Sequence, residues 1–178
     1  MLDIVMPVEE GRFIPPEVLD GILRQGVPFR LWVSTRYGDR QVADARDQVK
    51  RYGQSPHVLM LDNDIVLPPD GLKRMSDFLD AQPGFGAIAL CKHPSLPFAD
   101  DDAYLNAFHV DMSCVLFRKD VLDRLTFVDA RNANRAGREQ LAGLCECANA
   151  CADIRATSLR IGFLPRLYAE HLHPTRFA

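Results

Sequence analysis

Two kinds of hydrophobic pattern alternate along the chain. Short apolar runs at residues 2–8, 29–34 and 57–61 are bounded by proline, glycine or charged residues, which is typical of buried β-strands. Between them, apolar residues recur every three or four positions, as they do on the inner face of an α-helix. This alternation predicts an α/β fold around a mostly parallel central sheet.

Local chemistry predicts where the helices begin and end. Pro15 and Pro16 are expected to open the first helix, Gly26 to end it, and Gly53 to end the second. Pro68 and Pro69 are expected to open the third. The predicted inward positions of the three helices are Val18, Leu19, Ile22 and Leu23; Val42, Ala45, Val49 and Tyr52; and Leu72, Met75 and Leu79.

The second half of the chain has a weaker pattern. It predicts strands at 85–90 and 110–117, a short helix at 119–125, a ragged helix at 138–158 and extended segments at 160–164 and 167–169. Residues 92–108 lack a period and are rich in proline, aspartate and alanine. They are therefore expected to form a long loop, which in a compact domain is often functional.

Composition narrows the class of protein. The 178 residues are 47% hydrophobic and 25% charged, with a net charge of -3, which is ordinary for a globular domain and lacks the basic excess of a nucleic-acid binder. No apolar run reaches the roughly 18–20 residues of a membrane span. With no leader peptide apparent, we expect a cytoplasmic protein whose five cysteines are reduced.

Three of the cysteines, Cys145, Cys147 and Cys151, lie close together in the sequence. On a helix, Cys147 and Cys151 share a face but Cys145 does not, and zinc normally needs four ligands. We therefore expect buried apolar thiols without a structural metal.

The segment Asp62-Asn63-Asp64 is the part of the sequence that most strongly indicates a functional site. It follows a strand that is apolar on both faces, and alternate residues of an extended chain point the same way. Two carboxylates held together repel each other unless a cation joins them, and Mg²⁺ or Mn²⁺ completed by phosphate oxygens meets that need. A solvated acidic turn is the alternative interpretation.

The surroundings of this segment resemble the donor-binding region of the family 2 glycosyltransferases, which have the GT-A fold. A proline-led helix follows the acidic pair, and Ala45-Arg46-Asp47 resembles the family's Ala-Arg-Asn segment. Residues 110–122 resemble its acceptor-side strand and helix. Pro165, followed six residues later by His171, resembles its last strand, whose histidine often completes the metal shell.

The resemblance implies a metal-dependent transferase of the hexosyl or N-acetylhexosaminyl type. One domain, residues 1–178, would comprise a nucleotide- and metal-binding half (1–90) and an acceptor half (91–178). The donor would be a UDP- or GDP-sugar, and the acceptor would be a sugar, a lipid or a protein. The 92–108 loop is expected to act as a lid over the donor. The implied donor-binding residues are Pro7, Val8, Glu9, Ser34, Arg46, Asp62 and Asn63, and the implied metal ligands are Asp62, Asp64 and His171.

Two family features are missing. Ser34-Thr35-Arg36 stands where the family has an acidic residue that contacts the base, and its late Glu-Asp pair, which supplies the general base, has no equivalent. The candidates for that base are Asp153, Glu146 and Asp111, in falling order. Arg46 is either a diphosphate ligand or a surface arginine paired with Asp44 or Asp47.

Three alternatives remain open. A catalytically degenerate domain that only binds nucleotide sugar is favoured by the missing Glu-Asp pair. A nucleotidyltransferase is disfavoured, because residues 8–12 are acidic rather than glycine-rich and basic. A structural interaction module is disfavoured because two converging carboxylates serve no packing purpose.

Overall fold

A six-stranded mixed β-sheet organises the molecule. The computed structural model describes residues 1–9, 11–35, 42–92, 101–128 and 145–172. In spatial order the strands of the sheet are β2, β1, β3, β6, β5 and β7. They comprise β1 (Leu2–Pro7), β2 (Phe29–Ser34), β3 (His57–Leu61), β5 (Phe85–Cys91), β6 (Cys114–Arg118) and β7 (Arg160–Tyr168).

Five of the six strands run in one direction. β1 pairs in parallel with β2 and β3, and β5 pairs in parallel with β7. β6 is antiparallel to both β3 and β5 and joins the two parallel sets. Because β1, β3 and β5 are buried at every position, they read in sequence as continuous apolar runs rather than as alternating ones.

Helices cover both faces of the sheet. They are α1 (Pro16–Leu23), α2 (Val42–Val49), α3 (Gly71–Ala81), α4 (Asp101–Leu105), α5 (Lys119–Arg124) and α6 (Glu146–Ala156). Residues of α1 and α3 pack in one hydrophobic cluster, and residues of α2, α4, α5 and α6 in the other. Successive side chains of a strand point to opposite faces of the sheet, so β1 contributes to both clusters. Val5 packs in one cluster, and Ile4 and Met6 pack in the other.

The predicted helices need small corrections. α3 begins at Gly71 rather than at Pro68, although Leu72, Met75 and Leu79 are buried as predicted. In α1, Val18 and Ile22 are buried, but Leu19 and Leu23 are exposed, because one side of this short helix faces away from the sheet. Tyr52 lies in a 3₁₀ turn after α2 and stacks on Trp32 instead of entering the core.

Larger corrections concern the second half. The predicted 92–108 loop contains helix α4, which the sequence pattern missed because five residues are too few to show a period. The strand predicted at 110–117 begins only at Cys114, and the two extended segments after residue 160 form one strand, β7. Residues 38–39, 93–100 and 138–144 lie outside the described residues.

A second, two-stranded sheet lies beside the end of the main one. It pairs β4 (Ile65–Val66) in antiparallel fashion with β8 (Glu170–His171). Because β3 and β7 run in the same direction, the segments that follow them emerge at the same end, called here the C-terminal end of the sheet. In the described ranges, no helix is long and apolar enough to cross a membrane.

Candidate functional site

The acidic pair lies in the tight connection between β3 and β4. β3 ends at Leu61, β4 begins at Ile65, and the Ile65 amide donates to the Asp62 carbonyl at 3.3 Å. Asp62 and Asp64 thus belong to a turn, and the expectation that an extended strand aims both carboxylates the same way is wrong. The Asp62 amide donates to the Ser113 carbonyl at 2.8 Å, which holds the turn against the segment leading into β6.

His171 is brought to Asp64 by the small sheet. Ile65 lies opposite His171 in the β4–β8 ladder, and the Leu172 amide donates to the Asp64 carbonyl at 2.9 Å. The side chains then meet, with Nε2 of His171 3.0 Å from Oδ2 of Asp64. Both are about three-quarters buried or more, with exposed side-chain fractions of 13% for His171 and 27% for Asp64. The two segments are more than a hundred residues apart in sequence.

Arg46 on α2 holds the other aspartate. Its Nη2 lies 2.8 and 3.0 Å from the two carboxylate oxygens of Asp62, and its Nη1 pairs with the carboxylate of Glu146 at the start of α6. Arg46 is only 3% exposed. The alternative of a surface arginine paired with Asp44 or Asp47 is therefore wrong. Its role as a donor ligand stays a prediction.

Arg46 interacts electrostatically with both Asp62 and Glu146. Burial raises the pKa of Asp62, the neighbouring charge of Asp64 adds to the rise, and Arg46 opposes it. Burial disfavours the charged form of Arg46, but the Asp62 and Glu146 carboxylates outweigh it and raise the arginine pKa further. Arg46 is thus a permanent cation that compensates two carboxylates at the C-terminal end of the sheet.

Asp111 is a further acidic residue whose charge acts on Asp62. Its carboxylate accepts hydrogen bonds from the Ser113 amide at 3.0 Å and from the Ser113 hydroxyl, and Nζ of Lys92 lies 3.4 Å away. Its charge contributes to the raised pKa of Asp62, so the two carboxylates act on each other. Lys92 and Ser113 were not singled out from the sequence; the signals were a lysine directly after β5 and a serine two residues after an aspartate.

The other predicted donor residues lie at the same end. Pro7 and Ser34 are paired in register where β1 and β2 end, and the Val8 amide donates to the Ser34 carbonyl at 2.9 Å. Glu9 is exposed and pairs with Arg12 at 3.2 Å. The side-chain amide of Asn63 donates to the Phe13 carbonyl at 3.0 Å, so it points towards the β1–α1 connection.

The three base candidates are separated by the structure. Glu146 begins α6 and contacts Arg46, and Asp111 neighbours Asp62 electrostatically. Asp153 lies seven residues further along α6 than Glu146, which is about 10 Å along a helix axis. Its role stays a prediction.

The residues present suit a hard or borderline divalent cation. Asp64 offers a carboxylate oxygen and His171 an imidazole nitrogen, a donor pair that manganese accepts well. Neighbouring ligands of an octahedral ion at about 2.1 Å lie about 3 Å apart, and the two atoms are 3.0 Å apart. Asp62 is different, because both of its oxygens already accept hydrogen bonds from Arg46. The fit is therefore best for Asp64 and His171.

The thiols differ from what the sequence predicted. Cys145 is the N-cap of α6 and is not helical, so it approaches Cys147, and His109 joins them; the three ligand atoms lie within 4.8 Å of one another. The premise that Cys145 and Cys147 do not converge is wrong. Cys151 is buried as expected, and its thiol donates to the Val110 carbonyl.

The solved structures that the chain resembles in fold include a glycosyltransferase. The chain matches the mannosyltransferase PcManGT from Pyrobaculum calidifontis in complex with GDP-Man and Mn²⁺, with a TM-score of 0.74 and 17% identity over 99% of this chain and 58% of that one. It matches TarS residues 1–349 from S. aureus in complex with UDP with a TM-score of 0.62 and 13% identity, over 95% of this chain and 59% of that chain. A197 from STIV matches with a TM-score of 0.56 and 12% identity, over 96% and 84% of the two chains.

By sequence, no protein-family model and no curated protein matches the chain. The family 2 assignment therefore stays a prediction. The chain also spans only 58% of the length of the mannosyltransferase and 59% of TarS 1–349. The likeness of the three-dimensional structures, together with the mostly parallel sheet covered by helices, shows that the chain has the GT-A glycosyltransferase fold.

Proposed function

We propose that this chain binds a nucleotide-diphosphate sugar together with Mn²⁺ or Mg²⁺ and transfers the sugar to an acceptor. The observation that carries the proposal is the meeting of Asp64 and His171, 3.0 Å apart, beside the Arg46–Asp62 pair at the C-terminal end of the sheet. Ligands of open α/β sheets bind at this end of the strands. Structures of similar fold contain GDP-Man with Mn²⁺ and UDP-GlcNAc, which supports a donor of the hexosyl or N-acetylhexosaminyl type.

Asp64 and His171 are the residues that would hold the ion, which offsets the diphosphate charge and favours departure of the nucleotide. The contacts of Asp62 with Arg46 suit a supporting role, in which the Asp62 carboxylate would accept a hydrogen bond from a hydroxyl group of the donor. Arg46 keeps that carboxylate in one orientation. Pro7, Val8 and Ser34 lie where β1 and β2 end, beside β3 in the sheet, and are the further residues proposed to contact the donor.

Asp111 is the base candidate that we favour over Glu146. A base must reach the acceptor hydroxyl, and the Asp111 side chain is 35% exposed, whereas that of Glu146 is 11% exposed and bound to Arg46. Ser113 and Lys92 orient the Asp111 carboxylate without covering it. In this assignment Glu146 balances the charge of Arg46.

Calorimetric titration with nucleoside diphosphates and Mn²⁺ tests the donor site. Wild-type protein is expected to bind UDP or GDP only when the metal is present, and Asp64→Ala and His171→Ala to weaken that binding at least about tenfold, because each removes a metal ligand. Asp77→Ala on α3 is the matched control, since this exposed aspartate pairs only with Lys73 in the described structure. Wild-type affinity in Asp64→Ala would contradict the proposal.

Catalysis is tested separately from binding. One observation favours a degenerate domain that binds the donor without transferring it: the Glu146 carboxylate is engaged by a buried arginine. Measured hydrolysis of UDP- and GDP-sugars distinguishes the two functions. The transferase predicts metal-dependent release of the nucleotide that falls in Asp111→Asn with donor affinity retained, whereas the degenerate domain predicts binding without release.

A further inference from the structure

We propose that His109, Cys145 and Cys147 form a Zn²⁺ site, separate from the donor-metal site at Asp64. Their ligand atoms lie within 4.8 Å of one another, and Nε2 of His109 is 3.5 Å from Sγ of Cys145. In a tetrahedral zinc site, with bonds of about 2.3 Å to sulfur and about 2.0 Å to nitrogen, a sulfur and a nitrogen ligand lie about 3.5 Å apart. The His109–Cys145 pair thus already has the spacing of two ligands of one zinc ion.

The ligand types select the metal. Two thiolates and one imidazole are a soft set that suits zinc, whereas the Asp64–His171 pair offers a harder oxygen together with its nitrogen. Three protein ligands are present among the described residues. His109 and Cys145 are exposed and Cys147 is partly buried, so an ion can enter from solvent.

Cys145 lies at the start of α6. This residue caps the helix, and its sulfur accepts a hydrogen bond from the Ala148 amide at 3.4 Å. Cys147 follows two residues later, in the first turn of α6, and His109 reaches both from the segment before β6.

Such an ion would join the two segments that carry Glu146 and Asp111. Glu146 lies between the two cysteines in sequence, and Asp111 is two residues after His109. The Cys147 sulfur is 3.9 Å from the Glu146 carboxylate that pairs with Arg46. Zinc would therefore hold the first turn of α6 against the approach to β6, directly beside the candidate site.

Titration of metal-free protein with Co²⁺ and Zn²⁺ under reducing conditions tests this site. Cobalt is expected to give a sulfur-to-metal charge-transfer band, zinc to displace it at one equivalent with submicromolar affinity, and zinc removal to lower the melting temperature. Cys145→Ser, Cys147→Ser and His109→Gln are each expected to weaken binding at least about tenfold. Because His109 and Cys145 are exposed, their variants keep the test valid even if Cys147→Ser folds poorly.

Two matched variants control the experiment. Cys151→Ser changes a thiol one turn further along α6 that contacts the Val110 carbonyl, and it should retain the cobalt band. Asp64→Ala should also retain it, so failure of this site and failure of the donor site are distinguishable. A missing band in wild type, or wild-type zinc affinity in Cys145→Ser and His109→Gln, would overturn the proposal.

Discussion

At the scale of single residues, Asp3 is the clearest stabilising charge. It lies on β1 with no exposed surface, and its carboxylate accepts from Arg30 at 2.7 and 2.9 Å and from the backbone amides of Gln54 and Ser55 at 2.6 Å. One carboxylate thus joins β1, β2 and the approach to β3. Burial alone would raise the pKa of Asp3, but the bonds from Arg30 and the two amides hold it well below its ordinary value.

Asp3→Asn should lower the free energy of unfolding by about 3 kcal/mol at pH 7, because it leaves a cation and buried donors without a carboxylate. The depressed pKa means that the charge stabilises the fold above about pH 4 and that this contribution declines as the pH falls further. The difference between wild type and Asp3→Asn should therefore narrow by roughly 1 kcal/mol at about pH 3. Urea unfolding of wild type and Asp3→Asn at both pH values measures this difference in the free energy of unfolding.

The exposed Asp20 supplies the control for Asp3. It pairs with Arg24 at 3.8 Å, and both side chains are more than 60% exposed. Asp20→Asn should change stability by less than about 0.5 kcal/mol. A loss of stability in Asp3→Asn no larger than that of Asp20→Asn would contradict the assigned role.

At the scale of elements, the contact of α4 with β7 shows what the loop prediction missed. Gly162 on β7 lies under α4, where a Cβ atom would come within 2.7 Å of the Tyr104 carbonyl oxygen and closer still to that of Leu105. The Tyr104 and Tyr168 hydroxyls are 2.9 Å apart, and this hydrogen bond raises the pKa of Tyr104 to about 12. Residues 101–105 are thus a helix that packs on the sheet. The lid expected over the donor at residues 92–108 stays a prediction, and residues 93–100 lie outside the described ranges.

Gly162→Ala should lower the free energy of unfolding by about 1–3 kcal/mol, because the added methyl group meets backbone atoms that yield only if α4 moves. Urea unfolding measures the loss, and hydrogen exchange should show faster exchange of the amides in residues 101–105. Gly84→Ala is the control, since a Cβ there has no atom within 4 Å. Unchanged exchange in α4 of Gly162→Ala would show that the close packing is absent.

At the scale of the whole molecule, the predicted halves share one sheet. β6 and β7 belong to residues 91–178, and β5 lies between them although nearly all of it belongs to residues 1–90. β3 of the first half also pairs with β6 of the second over five residues. Neither half can therefore complete its share of the sheet alone, which supports the prediction of a single domain.

Unfolding is accordingly expected to be one cooperative transition. Trp32, the sole tryptophan, lies in β2 at one edge of the sheet, so its fluorescence follows the first half, whereas far-ultraviolet circular dichroism follows all helices and strands. The two transitions in urea should coincide. Separate midpoints would mean that the halves unfold independently and that the single-domain prediction is wrong.

The sequence by itself determined the parts that depend on neighbours in the chain. The strands at residues 2–7, 29–34 and 57–61 and the helix faces of α2 and α3 were predictable, because hydrophobic period is a local property of the sequence. The GT-A fold class was predictable from the motifs that resemble the family 2 glycosyltransferases. The acidic turn at Asp62 and Asp64 was also visible, although the reason given for its convergence, an extended backbone, was wrong.

Tertiary structure decided which side chains meet, and only the meeting of His171 with Asp64 was expected beforehand, from the family resemblance. Arg46 contacts Glu146 across a hundred residues, His171 reaches Asp64 across 107, and His109 reaches Cys145 across 36. These contacts depend on the order of the strands in the sheet, in particular on the antiparallel β6 between β3 and β5. No local sequence pattern encodes that order. The sequence therefore determined the strands, the helices and the acidic turn. The partner of each charged side chain was determined by the tertiary structure, because the folded sheet brings distant segments together at its C-terminal end.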